Sequence, residues 1–529
     1  MRSKRARISK SAALGFAATV LLSRPAPAQG ATEKPVVIRD VTVIDVVQGV
    51  ARPGMTIVAH GAHLTAVTAT AGAAIPTGAI VIEATGKYVI PGLWDMHAHL
   101  GHLQSKQLVT ELDLPLYVAH GVTGVRDMAG CLAEEEEDIP DIVCNATRRG
   151  ISRDVAANRL VAPRVIAVAS VQVNGPVQRR WGWRGGWGAE NRPPFFNPGT
   201  VPEGRRLAHF LASRWDLDFV KIYNGIPREA YFAFMEEAKS VGLSAAGHVP
   251  YAVSVIEASD AGQRSIEHAF RLVWDCSPAG VSFREWMVSE MARKPELRAT
   301  SQLLNTTIRS EMVRQHSPAM CDEVFQHLTR NDTWYCPTHV TRKFEAFAGD
   351  PGYMNDPRLK YVTKARKQAW LEDADEMVKI DPTPEGRRAF QEMYTLGLEI
   401  TKRAHAAGVK ILAGSDTPDS YIFPGSGLLD ELEALARAGL SPADVLKAAT
   451  INPAAFMGDS ALYGSIHPGK VADLVLLDRD PLQDIRATRA VWSVMLNGRL
   501  FDRAALRGLL LGVERAVRRA DLAASRRRP

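Results

Sequence analysis

The chain has 529 residues, of which 46% are hydrophobic and 23% charged, so it has the composition of an ordinary globular protein and the length of a large domain with a smaller one. Its formal net charge is +6, with 64 lysines and arginines against 58 acidic residues. Six of the basic residues and none of the acidic ones lie in residues 1–28, so without that segment the basic total falls from 64 to 58 and equals the acidic one. The charge therefore does not indicate a nucleic-acid-binding protein.

Residues 1–28 have the pattern of a secretory signal peptide. A basic start is followed by an apolar stretch from Ala12 to Leu22 and by the small residues Ala26-Pro27-Ala28, which are typical of a cleavage site. The apolar stretch is too short to span a bilayer comfortably, and no later segment has the length of a membrane helix. We therefore expect an exported protein, periplasmic or secreted, that keeps no stable membrane anchor after cleavage.

Both ends of the remaining chain have the alternating apolar and polar pattern of β-strands. This pattern covers residues 36–88 and returns at 464–503. We expect the two ends to fold together into one small β-sandwich, built from residues 29–90 and 456–505. Residues 506–529 would then form a basic C-terminal tail.

Residues 91–455 alternate short apolar runs with longer helical patterns, which is the arrangement of βα units. Eight such runs predict the α/β class and a TIM (β/α)8 barrel, whose active site lies at the C-terminal ends of the strands. Residues 276–333 and 341–405 would add helices around the seventh strand. The eight runs end near His99, Asp127, Val173, Tyr223, His248, His268, His339 and Asp416. Most of these side chains can bind a metal or take part in catalysis.

The cysteines define neither a disulfide scaffold nor a thiolate metal site. Their number is odd, and no two are spaced as Cys-x-x-Cys. One bridge between Cys131 and Cys144 and a set of unpaired buried thiols are both open in an oxidising compartment. The five positions are Cys131, Cys144, Cys276, Cys321 and Cys336.

The end of the first run carries two histidines, His97 and His99, spaced by one residue. Residues two apart on a strand point to the same face, so both imidazoles would enter one site and offer two nitrogen ligands to one metal ion. Paired histidines also occur on half-exposed strands without a metal. The pair becomes informative together with the ends of the other runs.

Further candidate ligands lie at the ends of four other runs. Lys221 lies inside the apolar run Phe219–Tyr223, where an unpaired charge costs several kcal/mol unless the side chain reaches solvent. His248 and His268 end the fifth and sixth runs, and Asp416 ends the eighth. Each of these residues alone would more often be structural.

Taken in order, these residues resemble the ligand set of the amidohydrolase superfamily, and within it the binuclear branch with its imidazolonepropionase-related and prolidase-like members. The resemblance also covers the Pro91-Gly92 turn and the segment Gly464–Asp473, which is similar to the superfamily's C-terminal signature. Deaminases of the mononuclear branch usually have a glutamate a few residues after the fifth-strand histidine. Here Val249-Pro250-Tyr251-Ala252 follow, which favours two metals over deamination.

The resemblance implies two divalent metal ions, most commonly zinc, bridged by an N6-carboxylated Lys221. One ion would be held by His97, His99 and Asp416, and the other by His248 and His268. Manganese or cobalt could replace zinc, because imidazole and carboxylate suit all three.

The activity implied is hydrolysis of the amide C–N bond of a small peptide-like substrate, such as a dipeptide or an N-acyl amino acid, by attack of a metal-bridging hydroxide. Asp416 would act as general base and then acid. Tyr223 lies two residues beyond Lys221 and so shares its inward face, where it would either donate a hydrogen bond to the oxyanion or simply pack.

Arginine and tryptophan side chains after the third strand predict the substrate site, because arginine can bind a carboxylate and tryptophan can cover an apolar group. A lid packed on the rim is the alternative. The candidate substrate residues are Arg179, Arg180, Trp181, Trp183, Arg184 and, after the seventh strand, His339. For His339, a packing role is the favoured alternative. A lactone or phosphoester hydrolase with the same site, and a non-catalytic binding or scaffold protein, remain as alternatives. The partner expected is a small-molecule substrate, and a homo-oligomer is possible.

Overall fold

The fold is described here from a computed structural model, which covers residues 34–100, 108–128, 143–169, 172–175, 195–214, 217–293 and 304–526. The predicted signal peptide lies outside these ranges. Within them, no helix combines the length and the apolar character needed to cross a membrane.

Seventeen strands are described, and the longest ones lie near the N-terminus. They are β1 (Val36–Asp45), β2 (Val50–His60), β3 (His63–Ala69), β4 (Ile80–Glu83), β5 (Tyr88–Pro91), β6 (Leu93–Ala98), β7 (Val122–Asp127), β8 (Arg164–Val168), β9 (Gln172–Val173), β10 (Phe195–Phe196), β11 (Val220–Ile222), β12 (Ala245–Gly247), β13 (Ser265–Glu267), β14 (Trp334–Cys336), β15 (Leu474–Leu477), β16 (Val491–Leu496) and β17 (Arg499–Phe501).

Helices connect these strands and dominate residues 270–457. They are α1 (Leu114–Ala119), α2 (Val143–Ala156), α3 (Val201–Arg214), α4 (Arg228–Ser240), α5 (Val255–Asp260), α6 (Phe270–Asp275), α7 (Pro278–Arg293), α8 (Thr306–Arg314), α9 (Pro318–Arg330), α10 (His339–Phe347), α11 (Pro351–Met354), α12 (Lys364–Ile380), α13 (Pro384–Ala406), α14 (Ser426–Arg437), α15 (Pro442–Ala448), α16 (Ile451–Met457) and α17 (Arg503–Arg526). A π-helical turn at Val109–Asp113 and 3-10 turns at Pro357–Tyr361 and Ile485–Arg489 complete the set.

The two ends of the chain share one sheet of eight strands, in the order β17-β16-β15-β5-β1-β2-β3 with β4 on β1. The connection between the ends is the antiparallel pair of β5 and β15, in which Pro91 lies opposite Leu474 and Tyr88 opposite Leu477. This sheet has its own apolar core, and Ile38, Leu64 and Met495 are among the buried residues of that core. The sequence predicted a sandwich from these ends, and the structure describes a single sheet.

The middle of the chain contains parallel strands in two sheets, β6-β7-β8 and β10-β9-β11-β12-β13-β14. The eighth predicted run, residues 411–417, forms isolated parallel bridges: Ile411 pairs with Tyr335 next to β14, and Thr417 pairs with Ala98 of β6. This segment therefore lies between the two sheets. Seven of the eight predicted runs form strands, and the fold is of mixed α/β type, but the described ladders do not form a continuous closed barrel.

The helical regions predicted around the seventh strand are confirmed, because α7 to α9 and α10 to α13 occupy most of 276–333 and 341–405. The start of α15 follows the predicted local rule: Ser441 accepts a hydrogen bond from the backbone N–H of Asp444, and Pro442 takes the first helical position.

A disulfide joins Cys276, at the end of α6, to Cys321 in α9. Both side chains are buried, and the two Cα atoms lie 4.7 Å apart. The sequence did not predict this pair. Cys131 and the side chain of Cys144, the pair that it left open, lie outside the described part of the chain. Cys336 is a buried free thiol.

A buried ion pair connects the parallel strands to the shared sheet. Arg164, at the start of β8, donates from Nε to Asp473 Oδ2 at 3.0 Å and from Nη2 to Asn497 Oδ1 at 2.7 Å. Asp473 Oδ1 also accepts from the backbone N–H of Asn497 at 2.6 Å. The aspartate that ends the C-terminal signature segment therefore fixes the sheet against β8.

Candidate metal centre

The first half of the site is formed by His97, His99 and Asp416. His97 ends the buried strand β6 with Ala98, and His99 follows it. Asp416 Oδ1 lies 3.2 Å from His97 Nε2 and 3.0 Å from His99 Nε2, so one carboxylate oxygen faces both imidazoles. Among the described residues, His97 Nε2 has no hydrogen-bond partner of acceptable geometry. Three potential ligand atoms therefore converge on one point.

His248 and His268 form the second half at the ends of β12 and β13. Their Nε2 atoms lie 3.0 Å apart, which brings two imidazoles nitrogen to nitrogen. The halves are continuous, because the ligand atoms of His97, His268 and Asp416 all lie within 4.8 Å of one another. Two nitrogen lone pairs at this distance suit a shared cation or one shared proton.

Lys221 lies on β11, beside the first half of the site. Its side chain is almost fully buried, and Nζ lies 3.5 Å from His99 Nε2. Burial lowers the pKa of this lysine, against the attraction of Asp416. The amine therefore lies beside the histidine ligands and not at the solvent edge, as a lysine that snorkels would.

Two glycines permit the close approach of the backbones behind the ligands. A Cβ on Gly414 would lie 2.8 Å from the backbone nitrogen of His97 and 2.7 Å from its Cβ. A Cβ on Gly247 would lie 2.5 Å from the carbonyl oxygen of Ile222, and φ is +128° there. Gly414 lies two residues before Asp416, and Gly247 directly precedes His248. A side chain at either glycine would push the neighbouring strand away and displace the ligand.

Two ligands adopt left-handed backbone conformations, with φ of 69° at His268 and 62° at Asp416. Non-glycine residues adopt this region rarely, and such positions concentrate at functional sites. The backbone N–H of Asp416 donates to the carbonyl of His97 at 2.6 Å, which supports its conformation. The end of the eighth run is thereby attached to β6.

Burial and neighbouring charges favour the metal-binding forms of His248, His268 and Asp416, whereas the pKa of His97 is raised because the attraction of Asp416 outweighs burial. Burial lowers the pKa of His248 and of His268 well below the usual value, so both imidazoles are neutral and can coordinate. Burial alone would raise the pKa of Asp416, but the attraction of His97 and hydrogen bonds from His97 and His99 hold it well below its ordinary range, so it is a carboxylate. Neutral imidazoles with a carboxylate are the donors that zinc and similar divalent ions prefer, and the residues present therefore fit such ions.

Sequence reasoning gave no role to the polar residues behind the ligands. Glu267 Oε2 lies 2.8 Å from His97 Nδ1, while its Oε1 accepts from Arg126 Nη2 at 2.8 Å. Asp95 accepts from the backbone N–H and hydroxyl of Ser415 at 2.9 and 2.6 Å, and burial raises the pKa of Asp95 to about 6. Two signals in the sequence could have indicated these residues. Glu267 is a charged residue next to the ligand His268 in a buried strand, and Asp95 lies two residues before His97.

The residues predicted for catalysis and substrate binding lie in three different places. The ring of Tyr223 stacks on His248 with centroids 4.4 Å apart, and burial raises the pKa of Tyr223, so its hydroxyl stays protonated. His339 is fully buried, its Nε2 lies 2.9 Å from Thr401 Oγ1, and its ring is edge-on to Tyr394, which favours the packing role. The predicted loop residues lie outside the described ranges: Arg179, Arg180, Trp181, Trp183 and Arg184.

Comparisons with known proteins match part of the chain to a known family. The amidohydrolase family model matches residues 357–501. Ochratoxinase of Aspergillus niger is 37% identical over 117 residues, which are 21% of this chain and 23% of that protein. Adenine deaminase of Rubrobacter xylanophilus is 34% identical over 115 residues, or 20% of this chain and 18% of that protein. The matches thus span about a quarter or less of the length of these curated relatives.

Solved structures cover nearly the whole chain. Bottromycin amidohydrolase superposes with a TM-score of 0.65 at 22% identity, over 91% of this chain and 90% of that one. A putative prolidase from Bifidobacterium longum gives a TM-score of 0.59 at 20% identity, over 91% and 100%. At these identities the superpositions show a shared fold. The chain thus resembles the amidohydrolase superfamily in the family match over residues 357–501, in its partial curated relatives and in its fold.

Proposed function

We propose that this protein is an exported, metal-dependent amidohydrolase that cleaves the amide C–N bond of a small peptide-like substrate, such as a dipeptide or an N-acyl amino acid. The observation that carries the proposal is the convergence of four histidines, a buried lysine and an aspartate at the ends of parallel strands. We further propose that the two parallel sheets and residues 411–417 belong to one (β/α)8 barrel, because that segment bridges β14 to β6.

Two divalent ions, zinc in the first instance, would be held by this set. His97, His99 and Asp416 would bind one ion, and His248 and His268 the other. Lys221 would connect them as a carbamate, formed when Nζ adds to carbon dioxide and loses a proton. An anionic carbamate removes the cost of an ammonium buried beside His99 and supplies two oxygen ligands. When bound, such ions make a coordinated water acidic and polarise a carbonyl group.

The chain's own residues supply the proton transfer and the hydrogen bond. The Asp416 carboxylate lies among three imidazoles, where it can take a proton from the attacking water and deliver it to the leaving nitrogen. The hydroxyl of Tyr223, protonated and on the same strand end as Lys221, would donate a hydrogen bond to the carbonyl oxygen as negative charge develops there.

Amide hydrolysis is favoured over deamination by the residues after His248. Val249-Pro250-Tyr251-Ala252 offer no glutamate, whereas Glu267 next to His268 is already paired with Arg126. The names of bottromycin amidohydrolase and the putative prolidase point to amide substrates, and the adenine deaminase match spans only 18% of that protein. The complete ligand set also disfavours a non-catalytic scaffold.

Export is supported by a feature independent of the N-terminal segment. Disulfides form and persist in oxidising compartments, and Cys276 is bonded to Cys321. A periplasmic or secreted location accounts for both this bond and the signal-like residues 1–28.

The test is a hydrolysis screen of dipeptides and N-acyl amino acids with purified protein. The protein is assayed as purified, after removal of metals with a chelator, and after return of Zn²⁺, Mn²⁺ or Co²⁺ separately. The proposal expects amide cleavage that is lost with the metals and restored by at least one of them. Metal-dependent turnover of lactones or phosphoesters without amide turnover would contradict the proposed substrate class, and activity that persists without metal would contradict the mechanism.

A further inference from the structure

Three of the four histidines in the site share an arrangement that the proposed function does not by itself require. The Nδ1 atom of each contacts a polar side chain from a different element, and Nε2 faces the centre. The partner distances are 2.8 Å from His97 to Glu267, 2.8 Å from His248 to Asn224 and 2.7 Å from His268 to Thr338. A hydrogen bond at Nδ1 fixes the tautomer and leaves the Nε2 lone pair available.

The three partners differ in charge. Glu267 is a carboxylate held from its other side by Arg126 Nη2, with the hydroxyl of Ser265 also donating to it. Arg126 is fixed in turn by the carbonyl of Met96 and the hydroxyl of Ser265, and both Arg126 and Glu267 are fully buried. Asn224 and Thr338, in contrast, offer uncharged oxygens. His268 Nδ1 also lies 3.5 Å from Asp416 Oδ2, but its hydrogen bond is with the nearer Thr338. Among these three histidines, His97 is therefore the one whose Nδ1 hydrogen bond is with a charged group.

A charged acceptor strengthens the hydrogen bond and raises the donor strength of the opposite ring nitrogen. His97 should therefore be a stronger ligand than His248 or His268. It is also fixed more rigidly, because Arg126 ties Glu267 to the backbone of the strand that carries His97.

We propose that Glu267, held by Arg126, is a positioning residue that makes the half-site of His97, His99 and Asp416 the tighter of two unequal metal positions. The neutral partners Asn224 and Thr338 leave the half-site of His248 and His268 weaker, so it fills second and empties first. This inference rests on the proposed two-metal function, but its readout is metal binding and not catalysis.

The experiment titrates Zn²⁺ into the metal-free full-length chain against a chromophoric chelator and counts bound metal by plasma emission. Wild type should bind two ions with distinct affinities. Glu267→Gln should weaken the tighter ion about 10- to 100-fold, the range for partners of metal-bound histidines. Thr338→Val should weaken only the looser ion, and Thr338→Ser should restore it.

Two controls separate positioning from folding. Asp473→Asn removes another arginine-paired buried carboxylate, and its contacts, Arg164 and Asn497, include no histidine, so both zinc affinities should stay as in wild type. The double variant Arg126→Met with Glu267→Gln removes the whole charge pair, so it leaves no unpaired guanidinium, and it should still lose affinity for the tighter ion. Thermal unfolding of each variant confirms that it is folded.

Equal zinc affinities for Glu267→Gln and wild type would overturn the inference and leave the proposed hydrolase intact. Loss of the looser ion instead of the tighter one in Glu267→Gln would overturn it as well. Two unequal ions with the expected variant pattern but no amide turnover would support the inference while the proposed function fails. A wild-type chain that binds no zinc would overturn both.

Discussion

Two buried arginine–carboxylate pairs do different work in this protein. Arg126–Glu267 is fully buried behind the candidate metal centre, and its carboxylate contacts the imidazole of His97. Arg164–Asp473 is almost as buried, with side-chain exposures of 11% and 5%, but its carboxylate contacts the backbone of Asn497 and joins β8 to the shared sheet. The same chemical pair can therefore tune a ligand or fasten two parts of a fold, and the third group it contacts decides which.

The largest expected effect comes from a change in the site itself. Asp416→Asn keeps the shape of the side chain but removes the carboxylate that faces His97, His99 and His268. Amide turnover should fall about 10²- to 10⁴-fold, the range for loss of a general acid–base group. The measurement is kcat/KM on the best substrate of the hydrolysis screen.

The matched control for that change is Asp332→Asn, which alters an exposed aspartate paired with Lys410 at 2.6 Å. It should leave kcat/KM as in wild type. Turnover of Asp416→Asn within threefold of wild type would contradict the role of Asp416.

Breaking the Arg164–Asp473 pair should lower the stability of the protein and leave metal binding unchanged. Asp473→Asn leaves Arg164 buried without its charge partner, which typically costs about 3–5 kcal/mol. Urea unfolding should report that loss while the count of bound metal stays as in wild type. A folded Asp473→Asn variant that lost metal would show that the two pairs are not separate.

The disulfide between Cys276 and Cys321 should also stabilise the fold. The double variant Cys276→Ala with Cys321→Ala opens a loop defined by a sequence separation of 45 residues, and loop-closure entropy puts its stabilisation at about 4 kcal/mol. Urea unfolding of oxidised wild type, reduced wild type and the variant should rank them, with reduced wild type matching the variant. Oxidised protein no more stable than the variant would show that the bond contributes nothing.

The smallest effect is expected from an ion pair at the surface. Glu257 accepts from Arg228 at 2.9 Å and also caps α5 through Ser254. The hydrogen bond from Arg228 lowers the pKa of Glu257 to about 2, so its stabilisation is complete above the ordinary value near 4.5 and is lost as the pH falls toward 2.

Because this pair is half-exposed, Glu257→Gln should cost on the order of 1 kcal/mol or less at pH 6. The free energies of unfolding of variant and wild type should approach each other as the pH falls below 4.5 and converge at about pH 2. A difference that grew as the pH fell would contradict the direction of the shift.

The sequence predicted the parts of this structure that depend on local pattern or on a known order of residues. Seven apolar runs form strands, the helices around β14 lie where expected, and the six candidate ligands come together at the strand ends. The strand patterns predicted that both ends fold together as a sandwich, whereas the structure pairs β5 with β15 within one sheet.

What the sequence could not predict depends on contacts between distant elements. Glu267 and His97 are 170 residues apart, and no periodicity tells that their side chains meet. Cys276 and Cys321 are brought together only by the packing of α6 on α9, and the spacing of the five cysteines gave no sign of it. Thr338 contacts His268 from a left-handed backbone conformation, which no local rule assigns to a β-branched residue.

The most direct test of the account is the number of metal ions per chain, measured by plasma emission on wild type and on Lys221→Ala. Lys410→Ala, an exposed lysine on the same chain, is the control. The account predicts about two ions per chain in wild type and in the control, with fewer at both positions in Lys221→Ala, since a carbamate on Lys221 would join them. One ion per chain that survives the loss of Lys221 would contradict the two-metal site.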